Sequence, residues 1–355
     1  MVEDGAVTAA SPDAAARRAA ALSRAHPLTM FGFDALISGA ARLRPERIAA
    51  RDALDGGAVD HAELDRRVDA FRAELRDYDL EPGERVLLAA TPNVRTLTAL
   101  IGLIAAGLEP VLAPLGLPPQ ALAAGARSAS AAALIGPASF GGDSLEELLL
   151  GVAATAPSIR LIGSLGPGTI DGAVDFGALD RALPPVPAWD IAAERPAPAR
   201  KVTIGALDCF GAPRFYEQSA LLGRSLSLVA EARVSGAAPL VSLCSPGTIG
   251  GLVAGPLASL LSGAPLHFVS PFDADGFLAH LDAIGPARLV APRAILADLD
   301  AAGLLTSGAL LGCVAIARTE EAEDGFAARA ACCPIVEIAA DGAARPAARE
   351  WARVS

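Results

Sequence analysis

Residues 207–214, Leu-Asp-Cys-Phe-Gly-Ala-Pro-Arg, are where this sequence comes nearest to phosphate chemistry. Gly211, Pro213 and Arg214 keep a Gly-x-Pro-basic frame, after a β-prone run over 201–206 and before a helix-like segment. A loop that grips a polyphosphate needs small or hydroxylated residues, so that backbone N–H groups and hydroxyls converge on the anion. Asp208 brings a carboxylate instead, and Phe210 a bulky ring with nothing to donate. The expectation is a vestigial phosphate loop marked by Asp208, Cys209, Gly211, Pro213 and Arg214, with Arg214 a solvated base and the holding of a phosphate or carboxylate its alternative role.

Other reactive residue types give weaker patterns. A thiolate at Cys209 would need a neighbouring base or helix terminus to lower its pKa, and Asp208 acts in the opposite sense. No catalytic residue is therefore assigned. His26, His61, His267 and His280 lack metal-ligand spacing, so no metal site is expected, and His61 reads as a capping or packing residue. Ser245, Pro246, Gly247 and Thr248 end a strand and precede a helix, at the carboxyl edge where α/β sheets bind ligands. They form the candidate ligand pocket, with a plain tight turn as the alternative. Glu146-Glu147 and Glu320, Glu321 and Glu323 read as solvated faces.

The elements that must position these residues follow a strand–helix–strand rhythm. Leu64, Val68, Phe71 and Leu75 recur at helical spacing, and Arg85–Ala90 is a short apolar run suited to a buried parallel strand. Asn93–Ala106 carries Leu97, Leu100, Ile101 and Ile104 on one helical face and stops at Gly107. Further strands are expected at 110–113, 131–135, 159–162, 240–243, 266–269, 288–291 and 313–317. Further helices are expected at 118–126, 219–232, 250–261, 275–284 and 292–299. Such βαβ units imply α/β architecture with mostly parallel sheets. The proline-rich stretch 183–200 is the expected connector between two separately cored subdomains, 28–182 and 201–345. Residues 1–27 read as a flexible arm and 346–355 as a tail.

At 355 residues and 52% hydrophobic content the chain can fill a large core, and with 4% aromatics that core must be aliphatic. A net charge of −11 argues against nucleic acid and anionic membranes as partners. No charged residue lies between Arg233 and Asp273, but prolines and glycines interrupt the stretch, which reads as strand–turn–helix–strand rather than a membrane span. Five cysteines without C-x-x-C spacing, and no signal peptide, fit reduced thiols in a cytoplasmic protein.

Taken in order, several segments resemble the N-terminal part of the acyl-adenylate-forming superfamily of AMP-dependent synthetases and ligases. They are 41–49 (Ala-Arg-Leu-Arg-Pro-Glu-Arg-Ile-Ala), 61–68, 82–86, Pro92-Asn93, 105–111, 211–214 and 256–266. The resemblance implies two layered α/β subdomains like the large N-terminal domain of acyl-CoA synthetases. It also locates departures. The family's Ser-Gly-Thr-Thr-Gly-x-Pro-Lys loop corresponds to residues 207–214, where Gly211 and Pro213 survive and Arg214 replaces lysine. Its Tyr-Gly-x-Thr-Glu segment falls near 339–343, Ala-Ala-Asp-Gly-Ala, and its Gly-Gly-Ala stretch near Ala317-Arg318-Thr319. The sequence ends at Ser355, before the family's ribose-binding aspartate and lysine-bearing lid, so no lid domain is expected.

These departures imply a catalytically degenerate homologue that binds a partner protein or an acyl or aryl molecule and needs no cofactor. The alternative is a working acid–thiol ligase component, using ATP and Mg, completed by a domain from another chain. A homo- or hetero-oligomer is expected, with an uncovered apolar surface over 310–338 as its contact.

Overall fold

The computed structural model describes residues 27–166, 168–176, 179, 201–317 and 333–340. The expected connector 183–200, residues 1–26 of the arm and the tail 346–355 lie outside the described residues. Two seven-stranded sheets organise what is described. The first contains β3 (Arg85–Ala90), β4 (Glu109–Pro114), β5 (Ala133–Gly136), β8 (Leu161–Ser164), β9 (Val174–Asp175), β10 (Thr203–Leu207) and β11 (Pro213–Glu217). Its order is β11-β10-β4-β3-β5-β8-β9, parallel except for the β10–β11 hairpin. The second contains β1 (Ile48–Asp52), β2 (Ala58–Asp60), β12 (Leu240–Ser242), β13 (Leu266–Phe268), β14 (Ala287–Pro292), β15 (Leu310–Ala317) and β16 (Ile335–Ala339). Its order is β16-β15-β14-β12-β13-β1-β2, parallel except for β1–β2. A small ribbon pairs β6 (Ser139–Phe140) with β7 (Asp143–Ser144).

Alternation along the strands shows why both sheet faces are covered. Val86 and Leu88 point into one apolar cluster, whereas Leu87 and Ala89 point into another. In the second sheet Leu240 and Val290 join the first of these clusters, whereas Val241, Leu289 and Ala291 join a third. The shared cluster holds residues of the helices Phe33–Leu43, His61–Glu74, Val94–Ala105 and Gln218–Glu231. The result is an α–β–α–β–α stack with its main core between the sheets.

This corrects the expected division into separately cored halves at 183–200. Strands β1 and β2 cross to the second sheet, where Ala50 pairs with Leu266, while β10 and β11 return to the first, where Gly205 pairs with Val111. The reason is burial. Ala50 and Ile204 are both 0% exposed, and their strands reach that burial by pairing with strands from the other half of the chain. Of the expected contact surface over 310–338, residues 318–332 lie outside the described residues. Its described part is mostly strand, β15 is sandwiched between β14 and β16, and Leu311 is its exposed large residue, at 41%.

The charge-free stretch folds as expected, into β12, a helix and β13. That helix runs Ile249–Leu252, widens to a π-turn over Val253–Leu257 and closes as Ala258–Ser262. Pro256 lies within the π-turn, and its missing N–H explains the local widening. Ser225 Oγ donates to Val253 O at 2.9 Å, satisfying a carbonyl there. Among the described residues no helix is long and apolar enough to cross a membrane.

Candidate functional site

Strands β10 and β11 pair from Thr203–Glu217 to Leu207–Pro213, leaving 208–212 as a hairpin loop. The segment after the loop is therefore a strand before it is a helix, which begins only at Gln218. Phe215 accounts for the difference. Its ring covers Gly205 across the hairpin and lies 4.5 Å beneath the Arg85 guanidinium, a cation–π contact that needs an extended backbone.

The loop is closed on itself. Asp208 N donates to Ala212 O at 3.0 Å, and Gly211 N donates to Asp208 O at 3.0 Å. Asp208 Oδ1 accepts from Phe210 N at 3.0 Å and from Ala212 N at 2.9 Å. The donors that would converge on an anion thus already serve an internal carboxylate. Arg214 Nη2 stands 4.0 Å from Asp208 Oδ2, and with its side chain 66% exposed the pair contributes little. Cys209 and Phe210 face solvent, while Gly211 is buried against the helix Pro119–Ala129 with φ +83°. The sequence-predicted residues do share one loop. Its sealing by Asp208 was not legible as geometry, although the aspartate two residues before an amide donor is the signal of an Asx turn.

The other candidate, residues 245–248, sits where the carboxyl ends of both sheets meet. Ser245 Oγ donates to Ala90 O at the end of β3 (2.7 Å) and accepts from Gly247 N (3.0 Å). Gly247 packs on Pro114 at the end of β4, Pro246 is buried, and Thr248 Oγ1 caps the following helix by accepting from Gly251 N (3.1 Å). These four residues join the sheets at the position where the topology would place a ligand crevice. Ser245→Ala should lower unfolding free energy by about 1–2 kcal/mol, the cost of a buried carbonyl losing its donor. Urea denaturation of the variant checks it, and an unchanged midpoint would show that water replaces the hydroxyl.

Three ionisable features around the second sheet escaped the sequence. Asp52 ends β1 and accepts from Val94 N (2.9 Å), the first residue of the helix Val94–Ala105. Burial, the largest influence, pushes its carboxyl up to about 6 against the lowering effect of the Val94 bond; Asp55 also raises it, and Arg95 and Arg67 lower it. His267 Nδ1 lies 3.0 Å from His280 Nε2, both rings buried. Burial first, then His280 and Arg51, lowers His267 to about 4; burial and Arg51 lower His280 as well. Arg293 Nε pairs with Glu337 Oε1 at 3.2 Å beside the second sheet's carboxyl edge. No group of three metal-competent side chains occurs among the described residues. His61 is buried and packs, its pKa lowered chiefly by burial, while the cap belongs to Asp60, which accepts from Glu63 N at 2.7 Å. Burial pushes the Cys244 thiol up to about 12 and raises Cys313 further, the setting of inert core thiols.

Residues 38–192 match the family model of the AMP-binding enzymes. Over 82 residues, 22% of this chain and 14% of the relative, the sequence is 40% identical to a salicyl-AMP ligase / salicyl-S-ArCP synthetase of Mycobacterium tuberculosis. Apo MbtA of Mycobacterium smegmatis superimposes with TM-score 0.64 at 22% identity, covering 85% of this chain and 54% of that one. The anthranilate CoA ligase AuaEII, solved with anthranoyl-AMP, gives 0.65 at 16% identity over 83% and 56%. The chain spans about half the length of these structures. Its fold is that of the large N-terminal domain of acyl-CoA synthetase-like enzymes, with homology to AMP-dependent ligases.

Proposed function

We propose that this protein is a catalytically degenerate homologue of AMP-dependent acyl or aryl acid ligases, binding a partner protein or an acyl or aryl molecule without activating it. The observation that carries this is the closed loop 208–212. Acid activation by ATP places developing charge on transferring phosphoryl oxygens, and catalysis depends on donors already aimed at them. Here Phe210 N and Ala212 N are bound to Asp208 Oδ1. A triphosphate would have to displace that carboxylate while being repelled by it.

Removing one such donor costs about 3 kcal/mol of transition-state stabilisation in enzymes that use it. Losing several at once is not additive but leaves no comparable route. No ATP or Mg requirement is therefore proposed. Support for association comes from β16, an edge of the second sheet among the described residues, where Ile335 and Val336 are half-buried.

The test is acid-dependent pyrophosphate release with ATP, Mg and a panel of alkyl and aryl acids, run on the purified full chain. The expected result is no release above the acid-free control. Turnover that Arg214→Ala abolishes would overturn the proposal, as would turnover restored by a second co-purifying protein.

A further inference from the structure

At the amino edge of the first sheet, beside the start of β4, lies a groove of about 200 Å³. Leu75, Leu80 and Leu108 supply its apolar lining, and Arg72 and Arg76 stand four residues apart along it. Strand β4 separates this groove from the hairpin loop by about 20 Å at the usual rise per residue. The two places are independent.

The arginines have donors to spare. Arg72 forms an ion pair with Asp69 (Nε to Oδ1, 3.5 Å), yet its buried Nε has no hydrogen-bond acceptor. Arg76 is exposed and enters no ion pair among the described residues. The helix Val94–Ala105 ends here too, and its last carbonyls accept backbone amides. Gly102 O accepts from Ala106 N, Leu103 O from Leu108 N and Ile104 O from Gly107 N, at 2.9–3.0 Å. In a chain of net charge −11, an ion-paired arginine with an unfilled donor and a second arginine outside any ion pair among the described residues, both beside an apolar wall, are a specific arrangement.

Guanidinium forks match carboxylates in geometry and charge. An apolar cavity of about 150 Å³ holds one benzene ring, so this groove has room for a ring with one small substituent. We propose that the groove binds a small amphipathic carboxylate: a single ring or short branched chain against the leucines, its carboxylate on Arg72 and Arg76.

The probe is benzoate, titrated into the ¹⁵N-labelled full chain at low salt while the arginine Nε–H resonances are followed, with benzamide and acetate as controls. Benzoate should give saturable shifts at Arg72 and Arg76, binding at least tenfold more tightly than either control. Arg76→Met should weaken benzoate at least tenfold with an unchanged melting temperature, because the residue is exposed. Leu80→Ser should weaken benzoate but leave acetate unaffected. Equal affinity for acetate and benzoate, or for benzoate and benzamide, would overturn the proposal. So would absence of saturation or wild-type affinity in Arg76→Met.

Discussion

Gly211→Ala is expected to destabilise the protein by about 3 kcal/mol, through two effects that can be measured apart. The residue has φ +83°, where a side chain costs roughly 1–2 kcal/mol. A Cβ built there would lie 2.1 Å from Ala121 O and 2.8 Å from its carbonyl carbon, both backbone atoms of a packed helix. Backbone cannot swing aside as a long side chain would, so overpacking adds about 1–3 kcal/mol. Gly142→Ala is the control, since Gly142 has φ +92° with nothing within 4 Å of its Cβ position. It should lose only the conformational part. Guanidinium unfolding of both variants gives the difference, expected near 2 kcal/mol; equal losses would refute the contact with Ala121. The same contact fixes the loop to the helix Pro119–Ala129, so survival of Gly211 reflects seating of the hairpin and carries no evidence of phosphate binding.

That distinction explains what was legible in the sequence. Apolar runs such as 85–90 and 288–291 announced strands because a parallel strand covered on both faces must be apolar almost throughout. The helices His61–Glu74 and Val94–Ala105 announced themselves by period. Strands β1, β2, β11 and β16 did not. Arg51 and Asp52 interrupt β1, Arg214 and Glu217 interrupt β11, and pairing rather than composition makes them strands. The exchange of strands between sheets was hidden for the same reason, since Ala50 opposite Leu266 is a long-range choice without local signature. At the site, residue types were readable and their bonds were not. Asp208 declared itself hostile to phosphate, but that it binds the loop's own amides depends on backbone geometry. His267 and His280, thirteen residues apart, meet only because a strand and a helix fold onto each other.

Asp52→Asn should stabilise the protein by up to about 3 kcal/mol at pH 7. Burial raises the carboxyl from 3.8 to about 6 in the folded state, a difference of roughly two pH units at about 1.4 kcal/mol each. Between about pH 4 and 6 the folded chain therefore binds more protons at this residue than the unfolded chain does. Stability contributed by Asp52 falls as pH rises through that window. Asparagine keeps an oxygen for Val94 N and carries no charge to desolvate. The variant's advantage should be absent below about pH 4, grow to about pH 6 and then stay level. His267 acts in the opposite sense. Its folded pKa near 4 makes stability rise with pH from about 4 to 6.5, as protonation of the unfolded state falls away. Wild-type melting curves alone would mix the two, so the measured quantity must be the difference between Asp52→Asn and wild type at each pH. An advantage that is constant with pH would assign the gain to packing. A loss at pH 7 would mean that the ionised carboxylate on the helix N-terminus outweighs its burial, making Asp52 a charge clamp between the sheets.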